Sequence, residues 1–145
     1  MRDDTAYTPA SLYAAIVGGV LLVAGLIGFL YSASFGSPGS VDAVLGILDV
    51  NAWHNLIHIL SGALGLLAFS SGPRASRTYA LVFGVVYIVV AIWGFVIGNH
   101  ESILGFIPIN TEDNVLHVIL GVLGLGAYAA SDPSREAESP RARAA

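Results

Sequence analysis

Four apolar runs, Ser11–Leu30, Trp53–Phe69, Tyr79–Gly98 and Val115–Ala130, constrain what this chain can fold into more than any other feature. At a rise of about 1.5 Å per residue, runs of roughly 17 to 20 residues cover a hydrocarbon core of about 30 Å. Lipid offers backbone groups no water to bond, so such runs become helices. With 55% hydrophobic and 11% charged residues, the balance is that of an integral membrane protein. The lipid bilayer is the first partner the sequence implies. The absence of cysteine excludes disulfides, thiolate metal sites and thiol nucleophiles. No Lys/Arg cluster tracks phosphates, so nucleic acid is not an expected partner.

Arginine sets the expected orientation, because lysine is absent. Arg2 precedes the first run, Arg74 and Arg77 separate the second from the third, and Arg135, Arg141 and Arg143 follow the fourth. The positive-inside rule places these segments, and with them both termini, in the cytoplasm. The other two loops carry Asp42, Asp49, Glu101, Glu112 and Asp113 with no basic residue and face outward. Small residues in SASFGSPG after Leu30 resemble a signal-cleavage point, but the segment RDD before the first run is not net positive. The first run is therefore read as a retained helix.

The chain also matches itself. NLIHILSGALGLLAFS from Asn55 and NVLHVILGVLGLGAYA from Asn114 register without a gap, pairing His58 with His117, Gly62 with Gly121 and Gly65 with Gly124. Upstream, AAIVGGVLLVAGLIGF from Ala14 aligns with ALVFGVVYIVVAIWGF from Ala80. The predicted architecture is all-α, four transmembrane helices as two tandem two-helix repeats related by a pseudo-twofold axis along the membrane normal. Residues 1–10 form a cytoplasmic N-terminus, 11–70 the first repeat, 71–78 a cytoplasmic loop, 79–130 the second repeat and 131–145 a disordered tail of mixed charge. The apolar outer loops, with VLGIL and ILGFI, are expected to form interfacial or re-entrant caps.

Asn51, Asn55, His58, Gly62, Gly65 and Phe69 are spaced four, three, four, three, four, and Asn110, Asn114, His117, Gly121, Gly124 and Tyr128 repeat the pattern. Such a stripe should face protein. The glycines permit close helix approach, and the second and fourth helices are expected to cross there. Asn51 and Asn110 read as helix N-caps, the latter followed by Glu112 and Asp113, which complement the helix dipole. The histidines lie about two turns into their helices. In one reading they bond Asn55 and Asn114 across the axis, a polar cluster that fixes helix pairing. In the other, His54 and His58, four residues apart, join Asp113 and His117 as four nitrogen and oxygen ligands for a divalent transition metal, with Asp42 and Glu101 supporting from the loops. Haem, held by His58 and His117, is a less favoured form of the second reading. Ion or small-molecule transport ranks lower, because the inner half of the stripe has no polar continuation. Catalytic motifs of soluble enzymes are absent, and Ser61 beside His58 has Leu120 as its counterpart.

The layout and the paired N-x-x-H-x-x-x-G-x-x-G signature, NLIHILSGALG and NVLHVILGVLG, resemble the small prokaryotic membrane proteins grouped as domain of unknown function four-three-eight-three. The resemblance runs from about Ser11 to Ala130. It implies a multi-pass membrane protein and brings no activity, cofactor or catalytic residue with it. The favoured expectation is a non-enzymatic structural or accessory protein, self-associating as a homo-oligomer or bound to a membrane protein partner; metal or haem binding is the alternative.

Overall fold

A computed structural model of the chain describes residues 7–36 and 42–131. The expected tail, most of the N-terminal segment, and Arg2, Arg135, Arg141 and Arg143 lie outside the described residues. Among the described residues four helices are long and apolar enough to cross a membrane: α1 Pro9–Tyr31, α2 Ala52–Ser70, α3 Pro73–Ile97 and α4 Thr111–Ala130. Each starts where local chemistry dictates. Thr8 accepts a bond from Ser11 N ahead of Pro9, Asn51 and Asn110 cap α2 and α4, and Pro73 opens α3 directly after Gly72, whose φ is +102°. Both α3 and α4 start before their apolar runs do, because PRASRT and TEDN are polar but well suited to a first turn. Large apolar side chains such as Ile16, Leu30, Ile92 and Val96 point outward, the pattern of helices whose outer solvent is lipid.

Both acidic loops fold as short antiparallel hairpins. Strands β1 Asp42–Val44 and β2 Leu48–Val50 pair with Ala43 opposite Asp49, and β3 Ser102–Ile103 and β4 Ile107–Pro108 pair with Ile103 opposite Ile107. At each tip a leucine and a glycine take consecutive left-handed conformations, Leu45 with Gly46 and Leu104 with Gly105, as a type I′ turn requires. Leucine adopts this backbone at a cost of about 1 kcal/mol or more. Trp53 stacks edge-on between Phe35 and Phe106 beside these hairpins.

The helices pair as α1 with α2 and α3 with α4, while α2 and α4 make few contacts with each other. This corrects the expected crossing of α2 and α4 at their glycines. A Cβ on Gly62 would come within 2.6 Å of the Gly18 carbonyl oxygen and 2.8 Å of Leu22 Cα on α1; one on Gly121 would meet Ile88 of α3 at 2.7 Å. The small residues thus serve contacts within each helical pair. Gly65 and Gly124 also make room for two tyrosine hydroxyls. Tyr79 on α3 donates to the Ser61 carbonyl of α2 at 3.1 Å, and Tyr13 on α1 donates to the Leu120 carbonyl of α4 at 3.0 Å. These crossed bonds, with the two rings 6.1 Å apart, join the pairs at the centre. At the end of the α2–α3 turn, Arg77 lies over the Tyr128 ring at 4.0 Å, and Ser131 Oγ accepts from Ala10 N.

Gly62→Ala is expected to destabilise the fold by about 1–3 kcal/mol, because its new methyl meets backbone that cannot move aside. Gly19→Ala, whose methyl would meet nothing within 4 Å among the described residues, should leave stability unchanged or raise it. Thermal unfolding followed by circular dichroism in detergent checks this, and equal melting of the two variants would contradict the packing described.

Candidate metal centre at the hairpin end

The polar residues of α2 divide between two faces. Asn55 lies on the side that meets α1, where its amide Nδ2 donates to the Ser32 carbonyl at 2.9 Å and its side chain fills the space beside Gly28. Asn114 lies against Gly94 of α3 in the same way. The expected bonds from Asn55 and Asn114 to the histidines are therefore not formed: at about 3.6 residues per turn, a step of three residues stops about 60° short of a full turn, and here that offset brings a different neighbour within reach. Among the described residues neither Asn Oδ1 has a hydrogen-bond donor.

His54, His58 and His117 converge instead. Each offers a ring nitrogen, and the three nitrogens lie within 4.8 Å of one another. His54 Nε2 and His58 Nε2 are 3.1 Å apart, and the His117 ring stands 6.5 Å from that of His54, stacked on Tyr87 at 5.4 Å. His54 and His117 are buried. His54 Nδ1 is 2.8 Å from the Asp49 carbonyl. A carbonyl can only accept, so Nδ1 carries the proton and Nε2 turns a lone pair toward the other histidines. His117 Nδ1 is buried and has no partner among the described residues. Buried ring nitrogens without partners are costly unless an ion or water answers them.

Asp113, the fourth expected ligand, is placed elsewhere. Its Oδ2 accepts from Asn110 N at 3.2 Å, closing the capping box of α4, and from Asp49 N at 3.1 Å. Asp42 and Glu101, expected as supporting groups, are exposed on the hairpins, and Asp49 holds the position they were expected to fill. Asp49 makes three bonds: its N–H to Asp113, its carbonyl to His54, and its carboxylate Oδ2 to His100 Nδ1 at 2.9 Å. The capping asparagines brace the hairpins as well as the helices. Asn51 accepts from His54 N and donates to the Phe106 carbonyl at 2.7 Å; Asn110 accepts from Asp113 N and donates to the Ile47 carbonyl at 2.6 Å. Each cap reaches the opposite hairpin.

The hydrogen bond to Asp49 and the nearby carboxylate charge raise the pKa of the exposed His100 above its ordinary value. A histidine whose pKa is higher folded than unfolded stabilises the fold below about pH 6.5, and this contribution is lost as pH rises through the folded value. The melting-temperature difference between wild type and His100→Gln should be largest near about pH 6 and shrink toward about pH 9. A difference independent of pH would contradict the charged contact.

The sequence matches the family described as Domain of unknown function (DUF4383) over residues 11–130, a span that takes in both histidine-bearing helices and both hairpins. No curated protein and no solved structure matches it. The chain is a member of the DUF4383 family.

Proposed function

We propose that this multi-pass membrane protein binds a divalent transition metal through His54, His58 and His117. The observation that carries the reading is the convergence of three ring nitrogens within 4.8 Å, one of them oriented by a backbone carbonyl. Metal-bound histidines commonly donate their other nitrogen in this manner. Two ligands at about 2.0–2.1 Å from a tetrahedral zinc ion lie about 3.3 Å apart, close to the 3.1 Å between His54 and His58. No pair of the three would have to close by more than about 1.5 Å to reach that separation. Three imidazoles leave a tetrahedral ion one open position. His54 stands beside the His58 nitrogen, where a macrocycle held between His58 and His117 would have to lie, which favours a bare ion over haem.

The finer architecture belongs to the same proposal. The hairpin end, with the histidines, faces outward and both termini are cytoplasmic, a reading supported by Arg74 and Arg77 at the opposite end. The two helical pairs descend from a duplicated hairpin, supported by the sequence register and by the paired uses of Tyr13 and Tyr79, Gly28 and Gly94, and Asn51 and Asn110. In the second copy Asp113 stands where the first has His54, so the duplicated frame came to hold one site built from both halves.

Untagged protein purified in detergent should carry near-stoichiometric zinc or another transition metal by plasma mass spectrometry. His58→Ala/His117→Ala should lose it. Added Zn²⁺ should raise the melting temperature of metal-stripped wild type and leave the double variant unmoved. Metal-free wild type whose stability ignores added metal would show instead that the histidines only fasten helices.

A further inference from the structure

Beside the three histidines lies a cavity of about 340 Å³, within the range of small-molecule sites. His54, His58 and His117 form its polar end, and its walls are apolar, with Val85, Val86, Val89 and Trp93 of α3 and Ile103 and Leu104 of the second hairpin. Val86 and Val89 are about half exposed on the outer surface of α3, so the wall of the cavity reaches the lipid-facing side of the protein. A molecule arriving there comes from the bilayer.

Charge decides which molecule. Three neutral imidazoles leave the full double charge of a bound divalent ion uncompensated, in surroundings where an unpaired charge is expensive. No carboxylate belongs to the ligand cluster among the described residues. Asp113, on the next turn, is engaged by Asn110 N and Asp49 N, and the Asp49 carboxylate faces His100. The missing negative charge must arrive with the occupant of the open position, and the cavity walls require that occupant to be a hydrocarbon chain otherwise. We infer that the cavity admits a long-chain carboxylate from the membrane, its head group on the metal and its chain along α3. This rests on the metal reading above.

The test uses full-length protein in phosphatidylcholine nanodiscs, loaded with Co²⁺, whose visible spectrum reports its ligands. Dodecanoate should shift that spectrum and saturate at one molecule per chain. Dodecanol, which lacks the charge, should leave it unmoved, and acetate, which lacks the chain, should act at least about tenfold more weakly. Val89→Trp, which adds bulk at a cavity-lining position outside the histidine cluster, should keep the Co²⁺ spectrum and weaken the dodecanoate response by at least about tenfold; Val86→Phe serves as a second such variant. A Co²⁺ spectrum indifferent to dodecanoate, equally sensitive to acetate, or shifted as readily in both filled variants would overturn the inference and leave the metal site standing. Wild type that takes up no Co²⁺ at the histidines would overturn the metal reading and this inference with it.

Discussion

The bond between His54 Nδ1 and the Asp49 carbonyl is the contact on which the hairpin end depends. It fixes the imidazole's proton on the outer nitrogen and aims the inner one at His58 and His117. Asp49 presents that carbonyl while its own N–H is held by Asp113 and its carboxylate by His100. Residues from α2, α4, the first hairpin and the segment following α3 thus meet at one residue.

Lipid makes such an arrangement necessary. Polar groups buried near the end of a membrane helix find little water, so leaving them without a partner from protein or ligand is costly. The hairpins supply most of the answers: carbonyls at Ile47, Asp49 and Phe106 accept from Asn110, His54 and Asn51. At the centre, where no loop reaches, two tyrosine hydroxyls bond helix carbonyls that already serve the helical ladder, and glycines make room for them. Like the Oδ1 atoms of Asn55 and Asn114, His117 Nδ1 has no partner among the described residues, and beside the histidine cluster the cavity begins.

Much of this was legible in the sequence, and the rest failed for identifiable reasons. The four spans follow from hydropathy, and Asn51 and Asn110 could be read as caps from their position alone. His54 and His58 share a face because they are four residues apart. The stripe of Asn55, His58, Gly62 and Gly65 looked like one face, yet α1 takes Asn55 and Gly62 while His58 turns toward α3 and α4. A spacing pattern marks which residues face protein and not which neighbour they face. Tyr13, Tyr79 and Tyr87 were missed because aromatic residues in an apolar helix carry no signal of their own. Asp49 was missed because two of its three bonds use the backbone, which no side-chain pattern reveals. Asp113 was expected at the metal through its match with His54, but a carboxylate in the first turn of a helix has nearer donors in the backbone.

The sum is a membrane bundle in which a structural frame, capped and braced at one end, leaves three imidazole nitrogens pointing into an apolar chamber. X-ray absorption at the zinc edge of untagged, zinc-loaded protein in nanodiscs tests this most directly. Three imidazole nitrogens at about 2.0–2.1 Å and one further oxygen are expected, with a nitrogen lost in His117→Gln. A shell of oxygens alone, or one unchanged by that substitution, would contradict it.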